Sequence, residues 1–193
     1  MRVPATPADV LDFWFDSATE ALWFERSDAF DATVRERFGD TLEAALRGDI
    51  DHWAQSPEGW LALLIVRDQF SRNLYRHDAR AWAGDAGTQA IALQGIARGD
   101  DRRLSPLQRV FAYMPLEHAE STDLQKHCLR LFEELVTSQP PASRARFENY
   151  LDYARRHHDV IHRFGRFPHR NAVLGRTDTP AEQAYLATPG SGF

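Results

Sequence analysis

Apolar residues recur along most of this chain at three- and four-residue steps, the spacing of a helix that buries one face. Asp28 to Arg47 is the clearest case: Phe30, Val34, Phe38, Leu42, Ala45 and Leu46 form the stripe, and Gly48 follows as the stop. The same period predicts helices from about Pro7 to Asp16 (Val10, Phe13, Trp14) and from Trp82–Asp85 to Arg98 (Ala86, Ala90, Leu93, Ala97). It predicts others over Pro106 to Met114 (Val110, Phe111, Tyr113) and from Thr122 onward (Leu124, Cys128, Leu131, Phe132, Leu135). Ala142 to about Phe164 carries Phe147, Tyr150, Leu151, Ala154, His158 and Ile161, and Pro180 to Ala187 closes the series. One stretch departs from the stripe. Trp60 to Val66 is apolar all round, which predicts a central buried helix beginning at Pro57. Polar residues then arrive abruptly with Arg67, Asp68, Gln69, Arg72 and Asn73, at a place where the helix either leaves the core or enters a polar cavity.

The polar positions mark where helices start. Thr6-Pro-Ala-Asp9 and Thr179-Pro-Ala-Glu182 each offer an N-cap hydroxyl, a proline that loses no hydrogen bond, and an acid for the positive end of the dipole. Ser56-Pro57 and Ser105-Pro106 begin alike, and Thr122 with Gln125 reads as a capping box. Pro115 is expected to end or kink its helix, leaving Leu116-Glu117-His118 just beyond the break. No run alternates with strand composition. The expectation is an all-α protein of eight or nine helices, joined by short loops that favour antiparallel neighbours. The tetratricopeptide consensus is absent and no clean internal repeat is visible.

Composition narrows the class. A length of 193 residues suits one domain, or at most a tight pair, with 43% hydrophobic and 26% charged residues. Cys128 is the only cysteine, so no intramolecular disulfide forms, as expected for a reducing compartment. No apolar run approaches the ~20 residues of a membrane span, and the start, MRVPATPADV, has no apolar core of a secretion signal. The expected setting is cytoplasmic, with no membrane association. The net charge of −5 argues against nucleic-acid binding.

Charge is unevenly placed. Arg155 to Arg176 holds six arginines (155, 156, 163, 166, 170, 176), four histidines (157, 158, 162, 169) and one acid, Asp159, a formal +5 that leaves −10 on the remaining residues. Its centre, Phe164-Gly-Arg-Phe-Pro-His-Arg-Asn171, lies on a turn because Gly and then Pro stop the helix.

Four segments, Val10-Leu-Asp-Phe-Trp-Phe15, Arg67-Asp-Gln-Phe-Ser-Arg-Asn73, Tyr113-Met-Pro-Leu-Glu-His118 and Arg163-Phe-Gly-Arg-Phe-Pro-His-Arg-Asn171, closely resemble the bacterial domain-of-unknown-function 924 family. The ending, Thr179-Pro-Ala-Glu through Tyr185-Leu186 to Gly192-Phe193, resembles it too, so the likeness runs over nearly the whole chain. The resemblance implies a tetratricopeptide-like array of antiparallel helices and implies no reaction.

The residues themselves offer candidate chemistry. Asp68 and Arg72, four apart, either form a helical ion pair or place Arg67, Asp68, Gln69, Arg72, Asn73 and Tyr113 around a ligand. Glu117 beside His118 can act as orienter and base, and His169 is a third candidate for acid–base work. His158 and His162 have metal-ligand spacing, yet the HExxH pattern is missing and no cysteine pair is present. The expectation is therefore no metal and no cofactor, with both histidines among the ligand-binding residues. Arg163, Arg166, Arg170 and Asn171 suit carboxylate or phosphate, or else pair with acids elsewhere in the fold. Together these predict a polar Arg/His pocket for a small phosphate- or carboxylate-bearing anion, with metal-independent acid–base catalysis as the reaction if it is an enzyme. The alternative is a helical scaffold that holds a peptide or protein in its groove. Oligomeric state is not readable from this pattern.

Overall fold

The structure, a computed structural model, describes residues 5–192. Met1 to Pro4, within the segment assessed for a secretion signal, and Phe193 of the glycine-rich end lie outside the described residues. Every regular element among the described residues is helical and none is a strand. The chain packs as two compact units that divide between Pro115 and Leu116.

In the first unit, α1 (Pro7–Trp14) opens with a full capping box between Thr6 and Asp9. It stops two residues short of Asp16 because that side chain caps the next short helix, α2 (Ser17–Glu20), accepting from Ala18 N. α3 (Asp28–Arg47) has the predicted limits, from the Ser27 cap to Gly48 at φ 84. α4 (Pro57–Leu64) begins at the Ser56 cap, and Trp60 to Val66 are buried on every side. Val10, Phe13 and Trp14 of α1 and Phe30, Val34, Phe38 and Leu42 of α3 join this core. Rings of Phe13, Trp14, Phe38 and Phe70 meet at centroid separations of 4.9 to 6.4 Å.

The helix does not end where charge begins. It widens into a π-helical turn over Ile65–Phe70 and continues as α5 (Ser71–Leu74), carrying Asp68, Gln69 and Ser71 into the interior. Burial is possible there because the polar groups are answered locally. The Ser71 hydroxyl donates to the Arg67 carbonyl at 2.7 Å, with the carbonyls of Asp68 and Ala81 within 3.2 Å, and Asp68 has Arg72 and Gln69 as partners. α6 (Arg80–Ala83) leads to α7 (Asp85–Arg98), which lays Gly95 against the Trp60 ring: a Cβ at Gly95 would stand 2.1 Å from Trp60 Cε2. α8 (Pro106–Glu117) runs through Pro115 rather than stopping there, so Glu117 is its last residue and His118 the first beyond it.

The second unit holds α9 (Thr122–Thr137), α10 (Pro141–Phe164) and α11 (Pro180–Leu186), with α9 and α10 packed on each other across a three-residue connection. The cap of α9 is Ser121, whose hydroxyl accepts from Leu124 N, and not Thr122. Gln125 is accordingly no capping residue. It is fully buried and its amide donates to the carbonyls of Glu117 and Ala119, fixing the chain between α8 and α9. The inner face of α10 is Phe147, Leu151, Ala154, His157, Val160 and Ile161. His157 takes the core position expected for His158, since three- and four-residue steps from Ala154 reach either histidine and packing chooses between them. No helix among the described residues is long and apolar enough to cross a membrane.

Candidate functional site

The candidate residues fall into separate polar clusters, one set in each unit. In the first unit, Arg72 bridges two acids: its guanidinium lies 3.0 Å from Asp68 and 3.0 Å from Asp85, and also donates to the Asp68 carbonyl. Burial works against the charge on Arg72, but Asp68 and then Asp85 outweigh it and raise its pKa further. Gln69 Nε2 sits 2.6 Å from Asp68 Oδ2 and 3.3 Å from Met114 Sδ. Tyr113, fully buried, donates to Asp101 Oδ2 at 2.7 Å and accepts from Arg109. Burial and the Asp101 carboxylate push its phenol up, so it stays protonated. Asn73 stands apart from this group and donates to Asp31. Arg67 reaches Asp51 at 3.3 Å. The Arg72 contacts make a largely buried charge relay that ties the π-helical turn and α5 to α7, with Asp68 and Asp85 both directed at Arg72.

In the second unit, the basic stretch is met by acids of that unit at four points. Arg155 lies 3.9 Å from Glu133, Arg156 2.8 Å from Asp152, and Arg176 grips Glu120 through both terminal nitrogens. Arg166 forms a two-point contact with Glu182 at 2.6 and 2.8 Å, and Glu182 is buried. Asn171, also buried, donates to Asp178 and accepts from Arg176. Arg163 lies over the Phe164 ring. His158 and His162 stack at 5.9 Å between centroids, and His158 faces Asp159. Among the described residues, no group of three or more His, Cys, Asp or Glu side chains is placed to hold a metal ion.

The Arg166 contact makes a pH-dependent claim. The hydrogen bonds from Arg166, with those from Thr179, hold the Glu182 carboxyl down at about 2. A carboxyl depressed by folding stabilises the protein above its ordinary value of 4.5, and that contribution is lost as pH falls toward 2. Glu182→Gln should therefore lower the melting temperature at pH 7 and flatten its decline between pH 4.5 and 2.5. Equal declines in parent and variant would show that this pair does not support the fold.

A further cluster of the second unit brings titratable groups face to face. His157 Nδ1 is 3.0 Å from Glu117 Oε1 and 2.9 Å from the Tyr153 carbonyl. A carbonyl only accepts, so the ring proton sits on Nδ1 and the lone pair on Nε2. Burial, with His118, His169 and Arg170 nearby, pushes the His157 pKa down to about 3, and the ring is neutral at ordinary pH. The His118 ring is 5.8 Å from that of His157, and Phe167 is 5.6 Å from both His157 and His169. Arg170 is buried over Phe167 at 4.4 Å and donates to the His118 carbonyl at 3.1 Å. Cys128 lies close enough for Glu117 to act on it. Burial first, and Glu117 second, raise the thiol well above its ordinary value, which removes it as a nucleophile.

A family model described as "Bacterial protein of unknown function (DUF924)" matches residues 10–190. The chain belongs to the DUF924 family. A solved structure described as a protein of unknown function, ATU0120 from Agrobacterium tumefaciens, is 39% identical to it, with a TM-score of 0.84 over 94% of this chain and 96% of that one. No curated protein matches the chain. DUF924 membership thus accounts for the fold and leaves the chemistry to the residues. Of the sequence candidates in this DUF924 chain, Glu117, His118, His169 and Arg170 come together. Arg166 and Asn171 are engaged by Glu182 and Asp178, and His158, His162 and Arg163 lie on the outer side of α10. His157 joins the cluster without having been singled out. Its only sequence signal was the adjacent pair His157-His158, in which periodicity favoured the wrong member.

Proposed function

We propose that the Glu117–His118–His157–His169–Arg170 cluster binds a small carboxylate- or phosphate-bearing molecule in the cytoplasm and exchanges a proton with it without a metal. The observation that carries this reading is the buried Glu117–His157 couple, 3.0 Å apart, set beside a buried arginine. Glu117 and the Tyr153 carbonyl orient the imidazole, Arg170 supplies the positive charge, and His118 and His169, both partly exposed, are the groups able to pass a proton to solvent. The rival reading, a tetratricopeptide-like scaffold for a peptide, draws less support. The large hydrophobic side chains exposed among the described residues, Phe24 and Tyr153, belong to different units, so neither unit lines a groove with them.

The test is a thermal-shift screen of small carboxylates and phosphates at constant ionic strength, repeated on Arg170→Gln and His118→Gln. A ligand that binds only the native state raises the melting temperature by mass action. The expected result is a rise for at least one anion that both substitutions abolish. The reading fails if no anion acts on the parent, or if the rise survives in both variants.

A further inference from the structure

We infer that a cleft of the first unit, away from the Asp68–Arg72–Asp85 relay, is a binding site for a phosphate dianion, free or carried on a small molecule. The cleft is open to solvent and offers about 440 Å³ where the start of α3 meets the segment after α5, and four arginines and three aspartates line it. Its acids are unequally spent. Asp31 takes donors from Asn73 and from two nitrogens of Arg76. Asp78 takes the backbone N–H of Arg80 and donors from its Nε and Nη2. Those two arginines are therefore neutralised where they stand.

Arg26 and Arg35 are not. Arg35 donates to the Leu74 carbonyl, and Arg26 to His77 Nε2 at 3.0 Å, so neither guanidinium meets a carboxylate. A guanidinium carries five N–H donors, which leaves most of theirs to solvent or to a ligand. Because Arg26 can only donate, His77 accepts at Nε2 and carries its proton on Nδ1, a further donor at the cleft. Asp28, at the start of α3, is the remaining acid of the lining, whose four arginines exceed its three aspartates by one, and the nearby Glu43 is engaged by the Tyr75 hydroxyl. Planar forks of this kind fit the paired oxygens of a phosphate, and a dianion needs two of them where a single carboxylate needs one. Arg76 and Arg80, held by their aspartates, line the same cleft. The site is independent of the Glu117 cluster and stands whether or not that cluster binds an anion.

The test is calorimetric titration with inorganic phosphate and with phenyl phosphate, in chloride buffer of matched ionic strength. The parent should bind at least one of them. The Arg26→Gln/Arg35→Gln double variant, whose side chains are exposed, should bind about tenfold or more weakly, the scale of one lost charged hydrogen bond or more. On the unaltered protein, phosphate should slow phenylglyoxal modification of Arg26 and Arg35, read by peptide mass mapping. Absence of binding of both probes to the parent, equal binding by the double variant, or unprotected Arg26 and Arg35 would each overturn the assignment.

Discussion

Trp60→Ala should remove about 3–5 kcal/mol of unfolding free energy, and Leu64→Ala about 2–5 kcal/mol, the ranges for fully packed aromatic and aliphatic side chains. Both residues are completely buried in α4. Trp60 has two further ties that set its orientation. Its indole N–H donates to the Ile91 carbonyl at 2.9 Å, and its ring lies where a Cβ on Gly95 would be. The same geometry predicts that Gly95→Ala also destabilises, because the added methyl meets a rigid buried ring. Urea unfolding curves measure all three. Losses below about 1 kcal/mol at both Trp60 and Leu64 would mean that α4 is not the core of its unit.

The second large effect is an acid sensitivity centred on His157. Its ring is neutral in the folded protein, with a pKa of about 3, and takes up a proton in the unfolded chain below the ordinary value of 6.5. Between those limits the unfolded state binds more protons, so stability rises with pH across the window. The contribution is complete above pH 6.5 and shrinks as pH falls toward 3. At about 1.4 kcal/mol for each pH unit crossed, the loss by pH 4 is on the order of a few kcal/mol. Glu117, His118, His169 and Arg170 all face the ring. The Tyr153 carbonyl favours a charged imidazole, but the neutral Nδ1–H already satisfies that contact. Unfolding free energies at pH 7.5, 6, 5 and 4 for the parent and His157→Gln provide the check. The variant should show a flatter slope across the window whatever its absolute stability. Parallel slopes would assign the acid sensitivity to another group.

Helix positions were largely legible because they depend on neighbours in sequence. The Ser27 cap and Gly48 define α3, and the Thr179–Glu182 box starts α11 without help from the rest of the molecule. The apolar run at Trp60 likewise announced its own burial. The misreadings lie where a local signal was outweighed by packing. Thr122 and Gln125 match a capping box, but Ser121 caps the helix and Gln125 is drawn inward by two carbonyls. Charge at Arg67 signals a helix end, yet the helix passes through because Arg72, Gln69 and Ser71 satisfy the buried groups.

For the candidate site, residue type showed which side chains could do chemistry, and the fold brought some of them together. A formal +5 over Arg155 to Arg176 is visible from composition, but its neutralisation by Glu133, Asp152, Glu182 and Glu120 is not. Apart from Asp152, one helical turn from Arg156, those partners lie 16 to 56 positions away along the chain. Local patterning carries no record of such pairings. The same holds for His157 and Glu117, and for Arg26 with His77. The helices follow from the chain's own pattern, because capping and periodicity act over a few residues. Which charges are spent and which stay available follows from the folded arrangement alone, because an ion pair depends on separation in space and on the water its burial excludes.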